Sequence, residues 1–289
     1  MTDFTLPDLP QVIIEPAVRA ALLEDYGNGG DVTADLLIPA NKTGTLYFHS
    51  RDTGFIAGLQ AAVLTFAIVD PSVKFDVIKG DGSAVTKGTH IATVTGPVRS
   101  LLMAERVALN FMGRMSGIAT LTSKYVAQTK GSKARIAATR KTTPGLRALE
   151  KRAVQCGGGF THRQSLDAAI MIKDNHIALA GGIEAAVKAI TTRADHMTHV
   201  SVEVDTLDQF EKVLPFKPNV ILLDNMSNAM LKTAVKMNAG SGITLEASGG
   251  VNLDTVAGIA ATGVDVISVG ALTHSATNFD IGLDAEKKA

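Results

Sequence analysis

The 289-residue chain has a single cysteine, Cys156, and no tryptophan. One thiol cannot close an intrachain disulfide, which excludes a disulfide-stapled fold. Aromatic residues make up only 4% of the chain, too few for a platform that stacks single-stranded nucleic acid. An excess of either charge is also missing: 28 Lys+Arg balance 28 Asp+Glu. No global basic field therefore invites a nucleic-acid partner. No run of eighteen apolar residues occurs, so no membrane-spanning helix is expected. The opening MTDFTLPDLP lacks a basic stretch followed by an apolar one, which argues against a secretory signal. A soluble cytoplasmic protein is the expectation.

What the chain has in quantity is apolar material, 46% of its residues, enough for a core in one large or two modest domains. Its first hundred residues read as mixed α and β. Glu15 to Tyr26 has helical spacing and ends at Gly27. Thr43–Ser50, Phe75–Ile78 and His90–Thr95 read as strands, separated by the turn signals Gly80-Asp81-Gly82 and Lys87-Gly88. A long helix is expected over Leu101–Met112, resuming after Gly113 to Gly117.

From about residue 133 the rhythm changes. Short apolar runs recur at Arg135–Thr139, Ala169–Ile172, Val200–Val204, Val220–Leu223, Thr244–Leu245 and Val264–Val269. Helical stretches separate the later ones: Ile183–Thr191, Leu207–Leu214, Asn228–Met237 and Leu253–Ala261. Such alternation implies parallel βαβ units. Strand starts about twenty residues apart suit a (β/α) barrel, with a doubly wound sheet as the alternative. The residues closing each run favour the barrel: Arg140-Lys141, Lys173, Glu203 with Asp205, Asp224, Glu246 then Ser248-Gly249-Gly250, and Gly270. Barrel enzymes place their chemistry at these strand ends.

Between Lys133 and Lys173 stand nine Lys/Arg and two Asp/Glu, Glu150 and Asp167. Lys151 and Arg152 read as solvated helix-face charges. Arg140, Lys141 and Lys173 stop apolar strands, and His162-Arg163 comes after the flexible Gly157-Gly158-Gly159 run. Together they would make a pocket for a ligand with several negative charges, since Arg offers a bidentate fork and Lys a point charge. Glu203 and Asp224 inside such a pocket suggest a divalent cation, ribose hydroxyls or both, and salt bridges to nearby lysines remain an equal alternative. Glycines after the last two strands, at Gly249-Gly250 and Gly270, would let backbone N–H groups approach a phosphate. Cys156 reads as a small buried residue. His196 and His199 lack the further ligands that a metal site needs.

The longer strings carry a resemblance. Thr139-Arg140-Lys141-Thr142-Thr143-Pro144-Gly145-Leu146-Arg147 resembles the hallmark of quinolinate phosphoribosyltransferases. So do Ile172-Lys173-Asp174-Asn175-His176, Leu223-Asp224-Asn225-Met226-Ser227, Glu246-Ala247-Ser248-Gly249-Gly250 and Gly263 through Ala271. Glu105-Arg106, Leu109-Asn110 and Ser116–Thr120 match upstream, and the likeness keeps its order from about residue 20 to 280. The resemblance implies an α/β chain of three parts. They are an N-terminal α/β sandwich domain (1–115), an open, incomplete barrel of six or seven parallel strands (116–275), and a tail (276–289) packing back on the first domain.

It also implies transfer of phosphoribose from phosphoribosyl pyrophosphate to quinolinate, with loss of CO2 and pyrophosphate, in NAD biosynthesis. By analogy Arg106, Arg140, His162, Arg163 and Lys173 would meet quinolinate. Lys141, Glu203, Asp224, Ser248, Gly249, Gly250 and Gly270 would meet phosphoribosyl pyrophosphate. Lys141, Lys173, Glu203 and Asp224 would be catalytic, with Mg2+ on Glu203 and Asp224. A homodimer is implied, with Arg106 contributed across the interface. A related enzyme for another base, and a non-catalytic barrel that binds a phosphate metabolite, stay open at this point.

Overall fold

The computed structural model describes residues 7–285. Residues 1–6, the start of the segment read for a leader, and 286–289, the end of the expected tail, lie outside the described residues. The chain forms two compact units. The first comprises, within the described residues, 7–123, 143–158 and 275–285; the second is 124–142 with 159–274.

The first unit begins with α1 (Gln11–Tyr26) and α2 (Val32–Leu37). Helix α1 buries Ile14, Val18 and Leu22, one residue per turn, as the i, i+4 spacing requires. Asp31 caps α2 by accepting the backbone N–H groups of Thr33 and Ala34 at 3.0 Å, which satisfies two donors that the helix leaves unpaired. Strands β1 (Thr43–Ser50), β3 (Lys74–Val77) and β5 (His90–Pro97) join β12 (Ile281–Asp284) in an antiparallel sheet of order β12-β1-β5-β3. Between them lie the short pair β2 (Gly54–Phe55) and β4 (Ala84–Val85) and helix α3 (Leu59–Val69). Phe48, Phe66, Ile91, Val94, Leu101 and Met112 are fully buried in its core. Each such side chain contributes about 1.5–3 kcal/mol on leaving water.

Helix α4 (Val98–Gln128) runs unbroken through Gly113 and Gly117, where the sequence suggests a break. The glycines answer a close approach instead. A Cβ on Gly117 would lie 2.0 Å from the Thr277 carbonyl oxygen, and Phe279 donates its N–H to the Gly113 carbonyl at 2.9 Å. The path of 275–285 along this helix ends in β12, with Tyr47 opposite Asp284.

Residues 143–158 cluster with the first unit, inside the span 116–275 that the resemblance gives to the barrel. Helix α5 (Arg147–Cys156) buries Leu149, Glu150, Lys151, Ala153 and Val154. Lys151 is therefore no solvated surface charge: it is fully buried. Nor is Gly157 a flexible spacer, because a Cβ there would lie 2.3 Å from the Ala119 carbonyl oxygen.

In the second unit six parallel strands take the order β6-β11-β10-β9-β8-β7. They are β6 (Arg135–Ala137), β7 (Ile170–Ile172), β8 (Val200–Val204), β9 (Val220–Asp224), β10 (Thr244–Ser248) and β11 (Val266–Ser268). Helices α6 (Asp174–Leu179), α7 (Ile183–Arg193), α8 (Leu207–Val213), α9 (Asn228–Met237), α10 (Val256–Ala260) and α11 (Ala271–His274) intervene. No ladder joins β6 to β7 among the described residues, so the barrel is open. No helix among them is long and apolar enough to cross a membrane.

Candidate active site

Parallel registry brings the C-terminal ends of the six strands to one rim, because Ser248 lies opposite Asp224, Val204 opposite Leu223, and Ser268 opposite Ala137. The residues at and just past these ends converge on a cavity of about 610 Å3, a size typical of small-molecule sites. Arg140, Lys141, His162, Arg163, Lys173, Glu203, Asp224, Ser248, Gly249, Gly250 and Gly270 all line it. Arg106 does not: it is exposed on α4, in the other unit.

Local hydrogen bonds set each group. The Lys141 N–H donates to Thr139 Oγ1 at 3.0 Å, and Thr273 Oγ1 donates to the Lys141 carbonyl at 2.6 Å. That turn throws Arg140 and Lys141 off the end of β6. The Lys141 stem and the His274 ring pass so near Gly270 that a Cβ there would meet them at 3.0 and 3.2 Å. At Gly249, with φ of +91°, a Cβ would fall 2.1 Å from Asn225 Oδ1. Only glycine lets this loop press on its neighbour. Asn225 in turn donates its N–H to the Ser248 carbonyl at 2.9 Å and its Nδ2 to Asp224 at 2.7 Å.

The electrostatics are lopsided. Arg140 Nε is buried with no hydrogen-bond partner among the described residues. Burial, and then repulsion from Arg140, push the Arg163 guanidinium below its ordinary pKa. Arg163 Nη1 donates to the Ala169 carbonyl at 2.8 Å. Two crowded guanidiniums are costly unless an anion joins them. Lys173 is differently placed, its ammonium hydrogen-bonded to Glu203.

No group of three His, Cys, Asp or Glu able to hold a metal occurs among the described residues. Glu203 and Asp224 offer two hard carboxylates on adjacent strands. Mg2+ commonly takes one or two carboxylates and fills its shell with water and substrate phosphate oxygens. The donor set therefore fits a cation that arrives with a phosphorylated ligand.

Sequence reasoning leaves Thr139 and His274 without roles and gives Glu246 and Ser268 only a place near strand ends, yet all four line the cavity. Glu246 had a signal, an acid within an otherwise apolar strand. His274 stands four residues past Gly270, one helical turn along α11. Cys156 is buried, which lifts its thiol pKa to about 12. His196 and His199 are exposed. A larger cavity of about 710 Å3 lies in the first unit. Its walls are largely apolar, from Ala17, Ala20, Val107 and Phe111, and its one arginine, Arg114, is engaged by Glu150.

Comparison with known proteins agrees over both units. The family described as quinolinate phosphoribosyl transferase, N-terminal domain, matches residues 31–116, and its C-terminal domain matches residues 118–284. The probable nicotinate-nucleotide pyrophosphorylase [carboxylating] of Synechocystis is 42% identical over 261 residues, 90% of this chain and 88% of that protein. Quinolinate phosphoribosyltransferase [decarboxylating] 2b, mitochondrial, of Nicotiana tabacum is 42% identical, covering 96% of this chain and 83% of its own length. The crystal structure of NadC from Streptococcus pyogenes superposes with a TM-score of 0.92 at 35% identity, over 96% of this chain and 98% of that one. With the rim of strand ends, the two family domains in order and relatives aligned nearly end to end, the chain belongs to the quinolinate phosphoribosyltransferase family.

Proposed function

We propose that the chain joins quinolinate to phosphoribosyl pyrophosphate, giving nicotinate mononucleotide, CO2 and pyrophosphate. One observation carries most weight: Arg140 and Arg163 line the same cavity at the rim of an open barrel, where burial and then repulsion from Arg140 lower the Arg163 pKa. A dianion with adjacent carboxylates relieves that repulsion through bidentate contacts. Arg140, His162, Arg163 and Lys173 receive quinolinate. Lys141 and the loops at Ser248, Gly249, Gly250 and Gly270 receive the phosphates.

The ring nitrogen attacks the anomeric carbon as its bond to the pyrophosphate oxygen breaks. Pyrophosphate leaves with the electron pair, and Lys141 meets its developing charge. Glu203 and Asp224 face the sugar, whose oxocarbenium character they stabilise electrostatically. They would also hold Mg2+, which when bound neutralises charge on the pyrophosphate. Alkylation leaves the ring nitrogen cationic. The bond from C2 to its carboxylate then breaks, its electrons pass to the ring, CO2 departs and C2 takes up a proton. That step needs orientation and exclusion of water more than a dedicated base.

Arg106 enters this scheme from a partner chain, and a homodimer is part of the proposal. Leu36, Leu37, Val12 and Leu23 expose 71–90% of their surface on α1 and α2, in the same unit as Arg106, and a second chain covering them would bury apolar area. We place the enzyme in the cytoplasm; the tobacco relative carries an organellar name, and cell fractionation decides. The activity itself is tested by following mononucleotide formation from phosphoribosyl pyrophosphate with quinolinate or with nicotinate. Product from quinolinate alone is expected. Equal turnover of nicotinate would contradict a dicarboxylate site.

A further inference from the structure

One buried carboxylate in the cavity has no part in that reaction. Glu246 sits in the middle of β10 and is 4% exposed. Ser268, on the neighbouring strand β11, donates its hydroxyl to Glu246 Oε1. His162 Nε2 lies 3.5 Å from the same oxygen. The other ring nitrogen, His162 Nδ1, accepts the backbone N–H of Arg163 at 2.8 Å. A nitrogen that accepts carries a lone pair, so the ring proton of this histidine resides on Nε2, facing Glu246. Because the Nδ1 contact is to the Arg163 backbone, the orientation of the ring and the start of the Arg163 side chain are tied together.

Other roles fit less well. Two cationic partners would suit a structural ion pair, but Oε1 faces a hydroxyl and an imidazole. A metal ligand would need company that the described residues do not provide. We infer that Glu246 is a positioning residue: anchored by Ser268, it holds His162 in the Nε2–H tautomer and thereby aims His162 and Arg163 at the quinolinate carboxylates. Its kinetic consequence rests on the proposed function; its structural consequence does not.

The test joins nitrogen NMR of the 15N-histidine-labelled full chain with kinetics of single and double variants. In the wild type, the His162 signals, identified by their loss in His162→Ala, should show an unprotonated Nδ1 and a protonated Nε2. Glu246→Ala should abolish that pattern and raise the quinolinate KM about tenfold, with kcat and the phosphoribosyl pyrophosphate KM nearly unmoved. Glu246→Gln, whose amide oxygen still accepts, should restore most of the loss. Combining Glu246→Ala with His162→Ala should cost no more than His162→Ala alone, because the two act as one unit. Should Glu246→Ala fail to fold, Glu246→Asp carries the same expectation, since it withdraws the acceptor by one methylene. Unchanged His162 signals in these variants, or losses that multiply in the double variant, overturn the inference. A wild type that neither binds nor turns over quinolinate would instead remove the proposed function, and the nitrogen signals would still decide the role of Glu246.

Discussion

Arg114 and Arg140 are both partly buried arginines, one in each unit, and they are treated in opposite ways. Arg114 spends its guanidinium on its own unit: Nε and Nη2 reach Glu150 at 3.1 and 2.9 Å, and Nη1 reaches the Ala276 carbonyl at 2.9 Å. Glu150, fully buried, also accepts the N–H and the hydroxyl of Thr143 at 3.0 and 2.7 Å. Arg140 keeps a buried Nε without a partner among the described residues and repels Arg163. Arg114 is neutralised within its own unit and serves the fold. Arg140 at the barrel rim instead keeps a donor open, at some expense in stability, for a ligand that brings the opposite sign.

The sharpest break between the units concerns Arg106, an exposed arginine of the first unit given a role in the second. Arg106→Ala and Lys141→Ala homodimers should each be nearly inactive. Refolding the two together should restore activity, because two-fold symmetry leaves one of the two sites intact in each heterodimer, about half the wild-type rate per dimer. A purified heterodimer as inactive as its parents, without even a single-turnover burst, would place Arg106 in its own chain's site.

Next in size is the matched pair of arginine deletions. Arg140→Ala should lower kcat/KM for quinolinate by the equivalent of about 2–5 kcal/mol while leaving thermal stability unchanged or raised. Arg114→Ala should do the reverse, costing about 3–5 kcal/mol in stability because Glu150 remains buried without its partner. Denaturant titration beside steady-state kinetics separates the two. Equal unfolding in both variants would erase the distinction between the units.

Glu203→Ala and Asp224→Ala should each weaken the response to Mg2+ while leaving the fold intact, as read from the Mg2+ concentration for half-maximal rate and from circular dichroism. A variant with a normal Mg2+ response would mark that carboxylate as structural, paired with Lys173 in the case of Glu203 and with Asn225 in the case of Asp224.

How far the sequence reaches can be judged from the same residues. Strand ends at Lys173, Glu203, Asp224 and Ser248 are legible because each charge or glycine closes an apolar run, and parallel packing turns that linear pattern into one rim. The three-way contact of Glu246, Ser268 and His162 is not, since it depends on register between β10 and β11 and on the loop after residue 158. Helix α5 misleads because its cationic composition suggests solvent, whereas Glu150 and Lys151 are buried in the first unit, where Glu150 meets Arg114 from far back in the chain. Gly113 and Gly117 mislead for the opposite reason: glycine there serves close packing, which composition cannot tell from a helix break.

The smallest expected effect concerns Asp81, a half-buried acid of the first unit. Burial raises its carboxyl pKa above the ordinary 3.8, despite the N–H that Leu59 donates at 3.0 Å and the nearby Arg152. The folded form then binds the proton more tightly than the unfolded one. Its contribution to stability is greatest below pH 3.8 and declines as pH rises toward the folded pKa. Asp81→Asn removes that slope, so its stability relative to the wild type should grow with pH across this window and then level off. A difference that shrinks with rising pH would mean that the ionised form is favoured.

The reaction itself is tested most directly with quinolinate carrying isotope in the 2-carboxylate or, separately, in the 3-carboxylate. With phosphoribosyl pyrophosphate present, the 2-label should appear as CO2, one for each pyrophosphate released, and the 3-label should remain in the mononucleotide. Without phosphoribosyl pyrophosphate no labelled CO2 should form. Pyrophosphate release without CO2, or CO2 release independent of phosphoribosyl pyrophosphate, would contradict the account.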